Sequence, residues 1–357
     1  MHINLISFTK HAIYRFFASL IAVALSGAAL WGCSSPPVRQ SETEFILGTT
    51  ISVTTYGDVP DDLVEAIFAR VREIEEKMSI SEEDYSMTEL IAVNEAAGER
   101  AVEVSADTFE VVRQAIAYSR STEGAFDVSV QPLVSLWGIG TEDAAIPEET
   151  AIGEALEHVD YRQVRLDADA MTVYLPEPGM GIDVGGIAKG YAADEAARML
   201  REAGVESALL DFGGNILTVG RKPDGSDWRI GIQVPDSSRG DYIGIADVVD
   251  KAVVTSGTYE RYFIEDGVRY HHILDTETGY PVRNELGSVT ILTEESMRAD
   301  ALSTAVFAMG LEQGMQFVEG LPDIEALFVT NESTVYFSSG MGDYFEITNE
   351  EFTAAEL

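Results

Sequence analysis

The order of elements along this chain predicts an α+β fold, with layered mixed or antiparallel sheets and helices packed against them. Three observations carry that reading. Strand-like stretches come in groups with amphipathic helices between the groups, without the strict alternation of a doubly wound parallel sheet. The 357 residues suffice for one substantial core. No repeat of about 20–50 residues and no long linker divides the chain after its amino-terminal segment.

The first element is a signal. Lys10 and Arg15 precede an apolar run over residues 16–30, closed by Trp31, Gly32 and Cys33. Basic, then apolar, then small residues is the pattern of a secretory signal. The run is shorter than the roughly twenty residues a membrane span needs. Leu30 and Gly32 before Cys33 resemble a bacterial lipobox, which implies cleavage and lipidation of Cys33. A plain signal with an incidental cysteine is the other reading. The expected division is a lipoprotein signal peptide over residues 1–32, a lipidated Ser- and Pro-containing tether over 33–43, and one catalytic domain over 44–357. Cys33 is the only cysteine, so neither an intrachain disulfide nor a thiolate metal cluster can form.

Further along, EFILGTTISVTTYG (44–57) is β-branched and ends in a glycine turn, which predicts an early strand. Leu63, Ile67, Val71 and Ile74 recur at helical spacing in residues 60–79, behind an acidic opening. A second helix is expected over 105–124, with Ser105 as N-cap and Gly124 beyond its end, and a third over 187–204. Residues 207–220, 227–234 and 243–257 read as strands with glycine turns, followed by strands at 271–275 and 287–293. An apolar helix, MRADALSTAVFAMG (297–310), comes directly after them.

The formal charge is −38, and it becomes −40 once Lys10 and Arg15 leave with the signal. So acidic a surface repels nucleic acid and anionic lipid at long range, which excludes a polyanion-binding role. Any anionic substrate needs local compensation.

Asp300, Ser303 and Thr304 stand at i, i+3 and i+4, so a helix places them on one face. A helix cap and a hard metal ion both account for such a trio. PGMGIDVGGIAKGYAADEAA (178–197) joins a glycine-rich turn to a helix start but matches neither the dinucleotide fingerprint nor the P-loop. Its amides could approach a phosphate, or it could be a tight strand-to-helix turn. Lys189 opposes the helix dipole, so either an anion lies nearby or the lysine is solvated. Asp183, between Ile182 and Val184, accepts from a ligand N–H or stabilises the turn. After signal removal only His158, His271 and His272 remain, and adjacent strand residues face opposite ways. That argues against a His/Cys zinc site and for a hard, oxygen-ligated ion such as magnesium.

Seven segments occur in order: LGTTISV (47–53), FDVSVQPLVSLWGIG (126–140), GIDVGGIAKGYAAD (181–194), LDFGGN (210–215), TSGTYERY (255–262), HILDTETGYPV (272–282) and ADALSTAVFAMG (299–310). Together they resemble the ApbE family, the FAD:protein FMN transferases, from about residue 44 to the carboxyl terminus. The resemblance implies an α+β fold and transfer of FMN from FAD to a threonine hydroxyl of a partner protein, with release of AMP. It implies magnesium, and acceptors that are subunits of membrane redox complexes of the sodium-pumping NADH:quinone reductase or Rnf type. It places the protein on a lipid anchor at the periplasmic side of the bacterial inner membrane, while Ser34 would permit outer-membrane sorting. By the resemblance Asp300 and Thr304 are magnesium ligands, with Ser303 contributing through its backbone and Gly186 through its carbonyl. Leu47, Asp127, Asp183, Lys189 and Ile273 match FAD contacts, as does the segment Glu89, Leu90 and Ile91. His272 lies near the reacting phosphate and is the candidate general base, because an unperturbed imidazole titrates near working pH. Residues 275–279 keep only the Asp, Thr and Gly of the family's Asp-Pro-Arg-Thr-Gly turn. Tyr259 and Trp137 are either ring-stacking or core residues. Three other readings stay open: a magnesium-dependent FAD pyrophosphatase, a non-catalytic FAD-binding lipoprotein, and a solute-binding protein.

Overall fold

A computed structural model describes residues 38–81, 85–237 and 240–357. The expected signal peptide and Cys33 lie outside the described residues. The fold proper runs from Arg39 to Leu357.

Its centre is a nine-stranded sheet whose strands neighbour one another in the order they occur in the chain. They are Arg39–Ile46, Thr49–Tyr56, Ser207–Phe212, Asn215–Gly220, Ala252–Gly257, Leu286–Thr293, Glu325–Thr330, Thr334–Phe337 and Thr353–Ala355. Every neighbouring pair is antiparallel except the last, which is parallel. The strand Leu286–Thr293 is buried along its whole length. Sheets covered on both faces read as continuous rather than alternating hydrophobic runs. Val289 and Ile291 face the helical layer, and Leu292 faces a second core under a three-stranded sheet. That smaller sheet consists of Phe345–Ile347, Tyr242–Val248 and Trp228–Gln233, so the molecule has helix, sheet and sheet layers.

The four expected helices form at Leu63–Met78, Ala106–Ser121, Ala188–Glu202 and Ser296–Met309, the last from a mostly apolar run. In the first, Ile67, Val71 and Ile74 are buried, and each contributes about 1.5–3 kcal/mol. Four more helices form at Glu89–Glu95, Gln131–Trp137, Glu149–Leu156 and Leu311–Glu319.

Several strand expectations need correction. The stretch read as one strand from residue 44 is a hairpin beginning at Arg39, turned by Leu47 and Gly48, both at positive φ. Residues 39–43, expected as tether, therefore pair with residues 52–56. Their mostly polar side chains on an edge strand gave no hydrophobic pattern to read. Residues 207–220 form a second hairpin, turned by Gly213 and Gly214 at φ 68° and 93°. Residues 243–257 split between the two sheets, and the strand expected at 271–275 runs Val268–His271 instead. Ser105 does precede its helix but makes no capping bond; its N–H and hydroxyl both go to Glu89.

One contact sets the site. A Cβ on Gly190 would sit 2.4 Å from the Ser296 carbonyl oxygen and 2.5 Å from Met297 Cα. Only glycine lets the helix Ala188–Glu202 cross so near the start of Ser296–Met309.

Candidate active site

These two helices cap each other. The Ser296–Met309 helix has no capping bond from its own N-cap Glu295. Asp194, from the neighbouring helix, accepts from Ser296 N at 2.9 Å and Met297 N at 2.8 Å. In return, Asp300 Oδ2 accepts from Gly190 N at 2.9 Å, in the first turn of Ala188–Glu202. Both carboxylates satisfy backbone donors that a helix start leaves unpaired. Burial lifts the Asp194 carboxyl to about 6, against the two backbone N–H bonds that pull it down. Asp300 thus stands one turn inside its helix, and the cap it supplies belongs to the other helix.

Asp300 keeps a second oxygen. Oδ1 lies 3.7 Å from Lys189 Nζ, and that ammonium also donates to the Gly185 carbonyl at 3.1 Å. The anion expected beside Lys189 is therefore Asp300. Ser303 is fully buried; its hydroxyl donates to the Asp300 carbonyl and lies 2.8 Å from Ser256 Oγ. Thr304 Oγ1 is 3.4 Å from Ser256 Oγ. A Cβ on Gly186 would lie 3.6 Å from Thr304 Oγ1 and 3.1 Å from the Phe126 ring, so the absent side chain leaves a cradle facing Thr304. A carboxylate, a hydroxyl and a glycine carbonyl form a hard donor set with a single negative charge. Magnesium fits it, since that ion is bound by one or two carboxylates and keeps places for phosphate and water. Asp300, Thr304 and the Gly186 carbonyl would hold it; the Ser303 hydroxyl is already used. Among the described residues no group of three or more His, Cys, Asp or Glu could hold a metal.

The glycine-rich segment is pinned from behind. Asn94 takes both backbone groups of Ile182, donating to its carbonyl at 3.0 Å and accepting from its N–H at 2.8 Å. Asp183 Oδ1 accepts from Gly185 N at 2.6 Å, which is the turn-stabilising role. Burial raises the Asp183 pKa, opposed by that hydrogen bond and by the charges of Arg261 and Lys189.

The histidines divide as their alternation requires. His271 is buried, with Ile273 N donating to its Nδ1 and its Nε2 donating to the Val282 carbonyl. His272 faces the other way. Its backbone N–H and its Nδ1 lie 3.1 and 3.3 Å from the Arg261 carbonyl. A carbonyl only accepts, so Nδ1 carries the proton and the Nε2 lone pair is left open. Burial first, then the charges of Arg261, His271 and Lys189, push the His272 pKa down to about 3. The argument from an unperturbed imidazole therefore does not hold for the ligand-free site.

Other expected contacts occupy structural places. Leu47 sits at φ 55°, strained for a bulky residue, with its N–H held by Glu75 at 2.7 Å. Asp127 spends both oxygens on protein donors: Ser129 N and Oγ on one, Tyr161 N on the other. Leu90 and Ile91 are buried in the core, and Glu89 holds Ser105. The residue of that helix reaching the glycine-rich segment is Asn94. Ile273 is buried. Trp137 is core, fully buried, stacked on Tyr270 and donating to the Gly279 carbonyl. The turn at 275–279 closes without the family's proline and arginine, because Asp275 Oδ1 accepts from Glu277 N and Thr278 N.

Three residues here escaped the sequence reading: Asn94, Ser256 and Arg261. Asn94 gave a signal as an amide late in an apolar helical run, and Ser256 and Arg261 lay without an assigned role in the segment 255–262 that helped carry the resemblance.

The layered fold is found in known proteins. The ApbE family model matches residues 47–328. An FAD:protein FMN transferase of Klebsiella pneumoniae is 36% identical over 299 residues, 84% of this chain and 92% of that protein. One of Treponema pallidum is 34% identical over 357 residues, 95% of this chain and 98% of its own. The crystal structure of the ApbE protein from Thermotoga maritima superposes with a TM-score of 0.80 at 34% identity, covering 86% of this chain and 99% of that one. The chain belongs to the ApbE family.

Proposed function

We propose that this protein is a magnesium-dependent FAD:protein FMN transferase that moves FMN from FAD to a threonine hydroxyl of an acceptor flavoprotein and releases AMP. The observation carrying it is the juxtaposition of Asp300 and Thr304 with the glycine cradle at Gly186. The names borne by relatives about one-third identical support the same activity.

Phosphoryl transfer is mostly positioning and stabilisation of spread negative charge. Asp300 and Thr304 stand one turn apart on the same helix face, and Lys189 Nζ lies 3.7 Å from the Asp300 carboxylate. Bound magnesium supplies Lewis-acid charge neutralisation, worth on the order of a thousandfold in rate or more. The threonine oxygen bonds to the FMN phosphorus as that phosphorus parts from the oxygen bridging to AMP, which leaves with the bonding pair. His272 Nε2 takes the threonine proton. A diphosphate bound nearby counters the charges of Arg261 and Lys189 and raises the imidazole pKa toward a working value. We further propose lipidation at Cys33, a periplasmic position at the inner membrane, and acceptors that are subunits of sodium-pumping NADH:quinone reductase or Rnf-type complexes.

The test is incubation with FAD, magnesium and a threonine-containing acceptor domain. Transfer yields an acceptor that fluoresces in a denaturing gel, one AMP per flavin attached, and neither product with chelator present. A dark acceptor already shown to be competent would reject transfer. Free FMN and AMP in place of labelled acceptor would assign hydrolysis.

A further inference from the structure

The Arg261 side chain has no protein partner described above, yet its residue adjoins His272 and its charge acts on Asp183. It lies between the strand Ala252–Gly257 and the hairpin Tyr262–Glu265/Val268–His271, and its carbonyl holds His272. Its guanidinium extends past two glycines. Nη2 lies 3.3 Å from where a Cβ on Gly48 would be, and Cδ lies 3.5 Å from where one on Gly140 would be. Side chains at either place would narrow the slot that Arg261 occupies. Gly48 follows Leu47, the residue held at positive φ.

Its charge is left open. Arg70, Arg72, Arg113 and Arg198 all pair with carboxylates, in a chain with 61 acidic residues. None of the ion pairs among the described residues includes Arg261, and it is exposed. A guanidinium in none of these ion pairs, whose charge acts on His272 and Asp183, can receive an anion. Its planar fork matches two phosphate oxygens at once.

We propose that Arg261 binds the diphosphate of the flavin dinucleotide, and that it selects diphosphate-bearing flavin over flavin without phosphate. This rests on the transferase reading for the identity of the ligand. The Gly48 and Gly140 slot orients the fork, while Asp300 and Thr304 are the residues that would hold the metal.

The test compares Arg261→Gln and Arg261→Lys with wild type, measuring FAD and riboflavin affinity by fluorescence quenching without magnesium, then KM and kcat for transfer. Loss of one charge-assisted contact predicts FAD binding weakened roughly 10- to 100-fold in Arg261→Gln. Riboflavin affinity and thermal midpoint stay at wild-type values, and Arg261→Lys recovers part of the loss. Equal weakening for both flavins, or unchanged FAD affinity in Arg261→Gln, overturns the proposal. If wild type binds FAD with this selectivity but labels no acceptor, the transferase reading fails and the Arg261 assignment stands. If wild type labels acceptor and Arg261→Gln binds FAD normally, only the Arg261 assignment falls.

Discussion

The helix Ala188–Glu202 carries two clusters of charge on different faces, and they are built on opposite principles. On one face, Tyr191 and Glu195 join a knot with Arg70, Glu73, Lys77 and Asp107, tying three helices together. Arg70 meets Asp107 at 2.6 Å and Glu195 at 3.1 Å, Lys77 meets Asp107 at 2.7 Å, and Tyr191 donates to Asp107 at 2.7 Å. The hydrogen bond from Arg70 leads in holding the Asp107 carboxyl far below the usual range. On the other face Asp194 caps Ser296 and Met297, and Lys189 and Gly190 meet Asp300, whose outer oxygen has one ammonium at 3.7 Å, while none of the ion pairs among the described residues includes Arg261. A structural cluster saturates its donors and acceptors. A site that handles phosphate keeps donors, acceptors and charge in reserve.

The sharpest way to break this contrast is Asp300→Asn. The amide oxygen can still accept from Gly190 N, so the cap survives while the charge is lost. Transfer falls roughly a thousandfold, the amount assigned to the metal, and the thermal midpoint moves by only a few degrees. AMP release and thermal unfolding on the same sample decide it. Full activity would remove Asp300 from the metal; collapse of the fold would make it a cap and nothing more.

Arg70→Ala is the mirror experiment. It leaves Asp107 without its principal cation and Glu195 with Arg198 alone, in a largely buried place, at a cost of about 2–4 kcal/mol. Single-turnover transfer at low temperature stays at the wild-type rate. Denaturant midpoints report the first, and a transfer rate reduced along with stability would mean that the knot also shapes the site. Its carboxylates, depressed in the native state, contribute stability present above about pH 4 that is lost as acid protonates them below that.

A smaller effect separates His272 from an ordinary histidine. Its native pKa near 3 lies below the unfolded value of 6.5, so the unfolded chain binds the proton first. Stability from this group is therefore lost as pH falls from about 6.5 toward 3. The free-enzyme profile, kcat/KM, shows no limb near 6.5 attributable to it. Such a limb, absent in His272→Gln, would contradict the depressed imidazole.

How much of this was legible beforehand depends on what each residue's signal is made of. The first long helix was readable because Ile67 and Val71, like their neighbours, repeat at the helical period, and the last because residues 297–310 are a mostly apolar run. The Arg39–Thr43 strand was not, because an edge strand asks little of side chains that face water. Asp300, Thr304 and Gly186 were found through motif resemblance, and spacing alone left cap and metal ligand undecided. The structure shows a cap on one Asp300 oxygen, and the proposed metal would take the other. Reciprocal capping could not be read at all, since Asp194 and Asp300 are far apart in sequence and meet only because Gly190 permits close crossing. Arg261 and Ser256 were visible only as members of the segment 255–262, with no role assigned, because their meaning lies in which residues surround them.

Asp194 gives the finest test, because it shares the capping geometry of Asp300 and none of its proposed chemistry. Burial raises its carboxyl to about 6 from an ordinary 3.8, so the native state holds the proton more tightly than the unfolded chain. Its contribution is then greatest below about pH 4 and is lost as pH rises through 6. Two units correspond to about 3 kcal/mol at most. Asp194→Asn resembles the protonated acid, keeping one acceptor for Ser296 N or Met297 N. At pH 7 the variant should lie within about 1 kcal/mol of wild type, since relief of the buried charge offsets the weakened cap. The difference between the two proteins should change across pH 4–6, read as urea midpoints at each pH. A constant difference across that window would mean Asp194 is not raised. Transfer activity should persist in Asp194→Asn while it vanishes in Asp300→Asn, although each substitution swaps one oxygen of a helix cap for an amide. Equal losses would place both carboxylates in the same structural class and erase the distinction between the two faces.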